Sequence, residues 1–284
     1  MKECIIELVQ ASYSYNEEIM VLKDINIKIY KGERIAVLGN NGAGKSTFFL
    51  ILNGILPLNH GKIIYRGKEL KRNKKDLTLL RKEVGFVFQD PDNQIIAPTV
   101  ESEISFGLMN FNLSPEVIRE RIQTAMDDLD LIRYRKSPPH YLSGGEKKRV
   151  SIADILVMEP EVLLFDEPTS SLDGININAF EEILEKQKEK GMTTLISTHD
   201  IDFAWKWADR VILFHHGEIV GDDIPENIFC NDLLLNKISL KKPAMLHTVE
   251  LISRIKGEKY PTILPRNEKS FQEYLDKNML NNHG

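Results

Sequence analysis

Residues 39–46 read Gly-Asn-Asn-Gly-Ala-Gly-Lys-Ser and match the pattern G-x-x-x-x-G-K-[ST]. A short apolar run of strand length precedes them at 34–38, and residues 47–52 have the composition of a buried helix. Strand, glycine loop and helix together form the context in which backbone N–H groups cradle phosphate. A turn that merely joins two elements is the alternative, and the agreement of all the parts disfavours it. We therefore predict a nucleoside triphosphate site, with Lys45 on the outer phosphates and Ser46 on Mg²⁺.

Composition limits the class of protein. The chain has 284 residues, 42% hydrophobic and 28% charged, with a net charge of −5. This balance predicts a globular protein of one or two domains without a general affinity for nucleic acid. Cys4 and Cys230 form no ligand or redox motif, so reduced thiols are expected. No apolar run approaches the ~20 residues of a membrane span, and the start does not resemble a signal peptide. We expect a cytoplasmic protein that meets a membrane only through a partner.

The order of predicted elements indicates an α/β fold. Strands are predicted at 4–10, 21–30, 34–38, 61–67 and 84–88, whereas 90–158 reads as successive helices, one of them with Ser114 as N-cap and Pro115 at its first position. Strand–helix alternation returns with strands at 162–166, 193–197, 211–214 and 218–220. The expected fold is a P-loop NTPase with a parallel sheet, N-terminal antiparallel strands and a helical insertion. The predicted domains are an ATP-binding core (1–89 plus 159–236), a helical subdomain (90–158) and a small C-terminal extension (237–284).

The C-terminal extension differs from the rest in charge, at +4 against −9 for residues 1–236. Two amphipathic helices are predicted in it, with apolar positions at Met245, Val249 and Ile252 in the first and at Phe271, Tyr274, Leu275 and Met279 in the second. A small cap packed on its own core and a contact between subunits are both compatible with this pattern.

Two acidic residues end the apolar run at 161–165. A buried strand would deliver Asp166 at its carboxyl end, where α/β sheets hold their ligands, and Asp166 could then hold Mg²⁺ through water. Glu167 follows directly and could act as general base for the water that attacks the γ-phosphate. An exposed acidic strand end is the alternative, which the neighbouring phosphate loop disfavours.

Residues 142–146, Leu-Ser-Gly-Gly-Glu, begin a helix. Ser143 and Glu146 have the spacing of a capping box, which accounts for both side chains. The box does not account for Gly144 and Gly145, which weaken the first turn of a helix. Paired glycines there would allow a phosphate to approach the helix end closely.

Together these motifs resemble the signature of ABC-type ATPases over about residues 3–235. The resemblance implies that Gln89 senses Mg²⁺ and the γ-phosphate, that His199 contacts the γ-phosphate, and that Tyr15 stacks on adenine, although Tyr15 could also be a core aromatic. It further implies that two subunits pair head to tail, so that the loop of one and the glycine-rich helix end of the other clamp each ATP. The residues predicted to bind the nucleotide are Tyr15, Gly39, Asn40, Asn41, Gly42, Ala43, Gly44, Lys45, Ser46, Thr47, Gln89, Ser143, Gly144, Gly145, Glu146 and Asp173; those for the metal are Ser46, Gln89 and Asp166, and the catalytic residues are Glu167 and His199.

A narrower resemblance lies between residues 89 and 113, which are similar to the ATPases of energy-coupling factor importers, those for cobalt uptake above all. This implies three partners: a second ATPase subunit, a transmembrane coupling subunit and a substrate-specific membrane subunit. The protein would then lie peripherally on the cytoplasmic face of the membrane. The sequence departs from the usual pattern at Glu146, where Gln is usual, at Ser171 and Gly174 in the D-loop, and at Glu103, where Asp is commoner.

The function predicted is ATP hydrolysis that energises an importer of cobalt or another transition-metal ion, with a vitamin as the alternative cargo. A soluble ABC ATPase of DNA repair or translation and a nucleotide-dependent scaffold are the alternatives from other classes.

Three local patterns of the sequence lead to further predictions. His215 and His216 should lie at a hairpin, residues 147–149 should form a solvated face, and residues 89–118, which hold five acids and no Lys or Arg, should form a docking groove with an acidic rim (Asp90, Asp92, Glu101, Glu103) and an apolar floor (Ile95, Ile96, Phe106, Met109, Phe111).

Overall fold

The computed structural model describes residues 2–16, 19–71, 73–111, 113–170, 172–257, 261 and 263–279, with the backbone alone at 110 and 277–279. Ser171 of the D-loop and the side chain of Met279 therefore lie outside the described residues. Among the described residues, no helix combines the length and the apolar composition that crossing a membrane requires.

The elements follow one another in an α/β order. The strands are β1 (Cys4–Ser14), β2 (Met20–Tyr30), β3 (Arg34–Leu38), β4 (His60–Tyr65), β5 (Lys68–Glu69), β6 (Val84–Val87), β7 (Val162–Asp166), β8 (Thr193–Ser197), β9 (Arg210–His215) and β10 (Glu218–Asp223). The helices are α1 (Lys45–Leu52), α2 (Lys74–Glu83), α3 (Val100–Phe106), α4 (Pro115–Asp128), α5 (Gly144–Leu156), α6 (Gly174–Glu189), α7 (Ile201–Trp207), α8 (Pro225–Phe229), α9 (Asp232–Lys237), α10 (Ala244–Lys256) and α11 (Glu268–Met279). Single 3₁₀ turns occur at Pro91–Asn93, Gly107–Asn110, Ile132–Tyr134 and Pro139–Tyr141.

The central sheet has the strand order β10-β9-β3-β8-β7-β6. Its strands are parallel except for the β9–β10 hairpin, in which His215 pairs with Glu218. His216 and Gly217 make the turn with φ of 49° and 83°, as type I′ geometry requires, and the predicted hairpin is confirmed. Because β3, β6, β7 and β8 run in the same direction, their carboxyl ends meet at one edge, where ligands of α/β sheets bind.

Both faces of this sheet are buried. Ile35 and Val37 pack against α1 and the antiparallel sheet β2-β1-β4-β5, whereas Ala36 and Leu38 belong to a second core shared with the helical insertion and the C-terminal helices. Successive strand residues point to opposite faces, so one five-residue strand supplies both cores. The predicted fold class, a P-loop NTPase with N-terminal antiparallel strands, a helical insertion and C-terminal helices, is confirmed.

An ion pair fixes the amino end of β3. Arg34 Nη2 lies 2.7 Å from Asp209 Oδ1, and the backbone N–H of Asp209 donates to the Arg34 carbonyl at 2.8 Å. Asp209 immediately precedes β9, the neighbour of β3 in the sheet. The pair therefore connects the two adjacent strands where they begin.

The described residues of the insertion form helices and turns and contain no strand, as predicted. Ser114 caps α4 by accepting from the Val117 N–H, with Pro115 at the first position. Ile122, Ala125 and Leu129 are buried on one side of α4. The predicted cap of this helix is confirmed.

The acidic rim predicted for residues 89–118 is wrong for Glu103, which is buried, and is partly neutralised by ion pairs at Asp92 and Glu101. Glu103 is 2% exposed and accepts the backbone N–H groups of residues 96 and 97. Asp92 pairs with Lys147 at 2.7 Å and Glu101 with Arg135 at 2.6 Å. The partners come from distant positions in the chain, so the absence of Lys and Arg between 89 and 118 did not leave these acids unpaired.

Three of the five residues predicted for the apolar floor are exposed. Ile96, Phe106 and Met109 are 71%, 51% and 71% exposed, whereas Ile95 and Phe111 are half-buried. We call Ile96, Phe106 and Met109 the apolar surface of the insertion.

The solvated face predicted for residues 147–149 is also wrong, because Lys148 is buried. Its Nζ donates to the carbonyls of Phe88 (2.7 Å) and Gln89 (3.0 Å) just beyond β6. On the same segment, Gln94 donates to the Ser151 carbonyl at 2.7 Å. Helix α5 is thus fastened to the segment after β6 by side-chain hydrogen bonds.

The C-terminal extension packs on the second core of the sheet rather than on a core of its own. Leu246 of α10 is fully buried in that core, and Val249 of the same helix is fully buried as well. Trp205 Nε1 donates to the Pro265 carbonyl at 3.0 Å, and Arg266 Nε donates to the Trp205 carbonyl at 2.7 Å. These contacts favour the cap interpretation for this face of the extension.

The buried ammonium of Lys148 leads to a testable pH dependence. Burial lowers its pKa from 10.5 to about 8, against the opposing effect of Asp166 and Asp90. Between these values the unfolded state holds more protons, so the free energy of unfolding rises with pH. Relative to Lys148→Met, the wild type should gain up to about 3 kcal/mol between pH 8 and 10.5, measured by urea unfolding.

The control is Lys147→Met on the same helix, which should show no such pH-dependent difference from the wild type. Burial raises the pKa of Asp154 to about 7, so its titration lies below the window used. A pH-independent difference between Lys148→Met and the wild type would contradict the prediction.

Candidate nucleotide-binding site

The loop between β3 and α1 depends on glycine at two positions. Gly39 has φ 151°, and a Cβ there would lie 2.4 Å from the Phe214 carbonyl oxygen. Gly44 has φ 106°, and a Cβ there would lie 2.8 Å from a Leu22 methyl carbon. Any other residue would strain the backbone and displace a neighbouring strand. The spacing of the motif is therefore set by close packing as well as by conformation.

Helix α1 begins in this loop with its N-terminus uncapped by a side chain, since Gly44 is the N-cap residue. First-turn N–H groups that lack a capping acceptor, together with the positive end of the helix dipole, favour an anion at this point. Lys45 is 7% exposed, and its Nζ donates to the Gly39 carbonyl at 2.7 Å. The loop thus holds an ammonium group beside the helix end.

A cavity of about 900 Å³ opens at this edge of the sheet. The predicted residues that line it are Tyr15, Gly39, Asn40, Asn41, Gly42, Ala43, Gly44, Lys45, Ser46, Thr47, Gln89, Glu167 and His199. Val21, Ser170 and Leu240 line it as well. Sequence reasoning missed Val21 and Leu240 as lining residues. Nothing in the local pattern marks Leu240, which arrives from the C-terminal extension together with Ile238, whose carbonyl accepts from Asn40 Nδ2 at 3.2 Å.

Glu167 occupies a strained turn directly after β7. Its φ is 42°, a left-handed conformation that costs a non-glycine residue about 1–2 kcal/mol. The Glu167 N–H donates to the Ser197 carbonyl at 3.1 Å and to Ser197 Oγ at 3.0 Å, which holds the turn in place. Its carboxylate then lies 3.7 Å from Lys45 Nζ and 2.8 Å from His199 Nδ1.

Gln89 and His199 reach the cavity from opposite neighbours of β7. Gln89 follows β6, and its Nε2 donates to Ser170 Oγ at 3.3 Å. Ser170 Oγ in turn donates to the Glu167 carbonyl at 3.0 Å. His199 follows β8 and lies on the other oxygen of the Glu167 carboxylate from Lys45. Gln89, after β6, is therefore linked to the backbone of Glu167, after β7, whereas His199, after β8, contacts its carboxylate.

The residues predicted to bind Mg²⁺ offer oxygen atoms, which are the ligands that this ion prefers. Ser46 and Gln89 line the cavity, and Asp166, 7% exposed, lies at the end of β7 and accepts a hydrogen bond from Ser197 Oγ. Among the described residues, no group of three His, Cys, Asp or Glu side chains could hold a metal ion by itself. A hard ion that keeps several waters and binds substrate phosphates fits this sparse set of hydroxyl, amide and carboxylate oxygens.

Tyr15 is 62% exposed at the cavity mouth. Its hydroxyl lies 3.2 Å from Thr47 Oγ1, and its ring meets the ring of Tyr13 edge-on at 5.0 Å. Tyr13, not Tyr15, is the buried aromatic of this strand end. The core alternative for Tyr15 is therefore wrong.

Ser143, Gly144, Gly145, Glu146 and Asp173 do not line this cavity within the described part of the chain. Ser143 and Glu146 form the predicted capping box at α5, and Asp173 caps α6 by accepting from the Asn176 N–H. A Cβ on Gly145 would lie 2.3 Å from Asn176 Oδ1, whereas a Cβ on Gly144 would meet nothing within 4 Å. Contact with Asn176 thus explains the glycine at position 145, whereas Gly144 leaves the helix end open.

Glu146 has a partner that sequence reasoning missed. The Tyr134 hydroxyl donates to Glu146 Oε1, and the Ser143 N–H donates to Oε2 at 2.8 Å. These hydrogen bonds, that of Tyr134 first, hold the pKa of Glu146 below its usual value. The carboxylate that replaces the usual glutamine is therefore engaged within its own subdomain.

Comparison with known proteins agrees with this geometry. The model of the ABC transporter family matches residues 22–170. The energy-coupling factor transporter ATP-binding protein EcfA of Methanocaldococcus jannaschii is 42% identical over 250 residues, covering 88% of this chain and 90% of the relative.

Two solved structures are similar as well. CbiO1 of Clostridium perfringens, part of the ABC transporter complex CbiONQ, has a TM-score of 0.75 at 38% identity, covering 88% of this chain and all of the other. A dimeric ATP-binding cassette in a post-hydrolysis state with ADP and phosphate has a TM-score of 0.70 at 29% identity, covering 78% of this chain and 99% of the other.

The family model spans more than half of the chain, and EcfA is matched over nearly its whole length. The phosphate loop and Glu167 stand where the resemblance placed them in the sequence. This chain belongs to the ATP-hydrolysing subunits of the ABC transporter family.

Proposed function

We propose that this ATPase energises a membrane importer of the energy-coupling factor type, with cobalt or another transition-metal ion as cargo. The observation that carries the proposal is the meeting of Lys45, Gln89, Glu167 and His199 at one cavity on the carboxyl edge of the sheet. The relatives named for energy-coupling factor transport support the type of importer. A vitamin is the alternative cargo.

Each lining residue has a chemical role in this proposal. The N–H groups of the loop and of the first turn of α1 bind the phosphates, and Lys45 neutralises charge on the outer ones. Glu167 accepts a proton from the attacking water, because its carboxylate lies beside both Lys45 and His199. His199 and Gln89 contact the γ-phosphate side, and Tyr15 offers an exposed ring to adenine. Mg²⁺, held by Ser46, Gln89 and water on Asp166, would supply charge neutralisation between the phosphates.

A second ATPase subunit completes the site in this proposal. Ser143, Gly144, Gly145 and Glu146 lie away from the cavity of their own chain, and the helix end is open at Gly144. The N-terminus of α5, where a Cβ on Gly144 would meet nothing within 4 Å, suits the γ-phosphate of a nucleotide held by the partner. The dimeric cassette with ADP and phosphate supports this arrangement. The division into core, helical subdomain (90–158) and extension (237–284) belongs to the same proposal.

The membrane partner docks on the apolar surface of the insertion. Exposed Ile96 lies on the segment that follows Gln89, and exposed Phe106 and Met109 follow at the end of α3 and in the next 3₁₀ turn, so a coupling subunit bound at Ile96 would be close to the γ-phosphate sensor. This places the protein peripherally on the cytoplasmic face of the membrane. Co-purifying the chain with its membrane subunits, and measuring uptake of cobalt, nickel and vitamins by that complex, tests the cargo; uptake of none of them contradicts the import function.

Replacing the proposed base tests the chemistry. Glu167→Gln keeps the shape of the side chain but cannot accept a proton, so MgATP binding should persist while hydrolysis falls at least 100-fold. A closed dimer should accumulate in MgATP, as measured by size-exclusion chromatography. Glu189→Gln, an exposed residue on α6, is the matched control and should hydrolyse ATP normally. Hydrolysis by Glu167→Gln within about threefold of wild type would remove Glu167 from this role.

Docking can be tested without touching the nucleotide. The triple variant Ile96→Ser, Phe106→Ser, Met109→Ser should leave the ATPase activity of the isolated subunit within about twofold of wild type and weaken assembly with the membrane subunit at least tenfold, since exposed apolar side chains at an interface carry much of its energy. Leu233→Ser, 85% exposed on α9, is the control. Unchanged assembly of the triple variant would place the docking site elsewhere.

The role of the extension in pairing can be separated from its role as a cap. Leu251 and Ile255 are 41% and 84% exposed on the side of α10 opposite to buried Val249. Leu251→Ser with Ile255→Ser should weaken self-association in MgATP at nearly constant melting temperature. Truncation after Asn236 removes Leu246 and Val249 from the core and should lower the melting temperature by several degrees. Full self-association of the double variant would assign the extension to the cap alone.

A further inference from the structure

One short part of the chain carries a charge opposite to that of the whole. Residues 62–82 contain nine Lys and Arg against two Asp and Glu, a net +7, which leaves −12 for the remaining residues. The stretch runs from β4 through β5 to α2. Lys71, Lys74 and Lys75 are exposed, and no ion pair joins them to any residue in the described part of the chain. We call these three lysines with Arg81 the basic face.

An apolar cleft of about 420 Å³ lies beside the basic face. It is lined by Leu56, Leu58, Ile63, Leu70, Leu77 and Leu80, with Lys71 and Arg81 at its margin beside the ion pair of Lys62 and Glu69 (2.9 Å). Arg81 donates to the Gly54 carbonyl at 3.0 Å, which attaches α2 to the loop after α1. In that loop Ile55 is 42% exposed and Pro57 is exposed. Cationic groups around an apolar cleft fit a ligand that is anionic at one end and apolar at the other.

The position of the basic face identifies which anionic partner is nearest. Helix α2 leads directly into β6, the edge strand of the central sheet, after which Gln89 follows. Lys82 of α2 lies over the ring of Phe111 at 5.4 Å, and Phe111 follows the 3₁₀ turn that carries exposed Met109. The end of α2 that carries Arg81 and Lys82 is therefore attached, through Phe111, to the segment that holds exposed Met109.

We propose that the basic face and its cleft bind the anionic phospholipid surface around the membrane subunit, with Lys71, Lys74 and Lys75 on the headgroups and the Ile55 loop at the boundary with the acyl chains. The inference rests on the proposed function for the peripheral position of the chain. An anionic leaflet attracts clustered Lys and Arg within a Debye length, and each adds roughly fivefold to binding. An exposed apolar loop adds burial in the interface. The two contributions act on the same side of the molecule, so the surface also orients the subunit.

Vesicle binding tests this inference with the full-length protein alone. Cosedimentation with vesicles of 30% phosphatidylglycerol in phosphatidylcholine should show binding that weakens with salt, and pure phosphatidylcholine should bind at least tenfold less. Lys71→Gln, Lys74→Gln and Lys75→Gln together should reduce binding to the anionic vesicles on the order of 100-fold. Ile55→Ser should reduce it severalfold without changing its dependence on salt. Basal ATP hydrolysis should stay within twofold of wild type in all of these variants.

A matched triple variant separates position from net charge. Lys186→Gln, Lys188→Gln and Lys190→Gln remove three exposed charges from the last turn and C-cap of α6 and should leave vesicle binding within about twofold. An equal loss in both triple variants would overturn the proposal, as would equal binding to the two kinds of vesicle. Binding to duplex DNA through Lys71, Lys74 and Lys75 without binding to anionic vesicles would assign the face to another polyanion, which also overturns it. If vesicle binding fails while assembly with the membrane subunit and import persist, the proposed function survives and this inference alone is lost.

Discussion

A concentration of positive charge at one point organises the site of this ATPase. The uncapped start of α1 and the Lys45 ammonium lie together at the end of β3, where little water can reach Lys45. Within the described residues the nearest carboxylate to this ammonium is that of Glu167, which itself sits in a strained turn. An anionic ligand stabilises this arrangement, because it satisfies the loop and the lysine at once. The strands that end here hold Gln89, Glu167 and His199 at a distance from which they can respond to that ligand.

Much of the fold and of the site could be predicted from local patterns in the sequence. A strand, a glycine loop and a helix are contiguous, so residues 34–52 could be interpreted from their own order, and the carboxyl ends of parallel strands then had to converge. The residues missed are those whose partners are distant in the chain. Leu240 reaches the cavity from the extension, and Tyr134 satisfies Glu146. The charge of the acidic rim was overestimated for the same reason, because a count confined to residues 89–118 does not include Arg135 and Lys147.

Helix α5 buries a lysine that the sequence pattern predicts to be exposed, and the buried ammonium group has hydrogen-bond partners. A lysine between two other cations looks like part of a solvated face, yet Lys148 gives its protons to two backbone carbonyls beside Gln89. Lys147 and Gln94 attach the same helix to the same segment. The glycine-rich end of α5 and the Gln89 segment are therefore attached to each other and move together within a subunit. In a dimer these two ends would face different nucleotides, so a displacement at one would be transmitted to the other without a change of fold.

The pair Arg34–Asp209 matters for the accuracy of folding as well as for its stability. Both faces of β3 are apolar, so a shift of the strand by one residue against β8 and β9 would still bury hydrophobic side chains on either side. Burial alone therefore discriminates weakly between the correct alignment and its nearest error. An error of one residue would move Gly39 by about 3.3 Å along the strand axis and carry the whole phosphate loop out of alignment with Glu167. A charged pair at the amino end of β3, where misalignment would separate opposite charges, supplies the discrimination that the two cores lack.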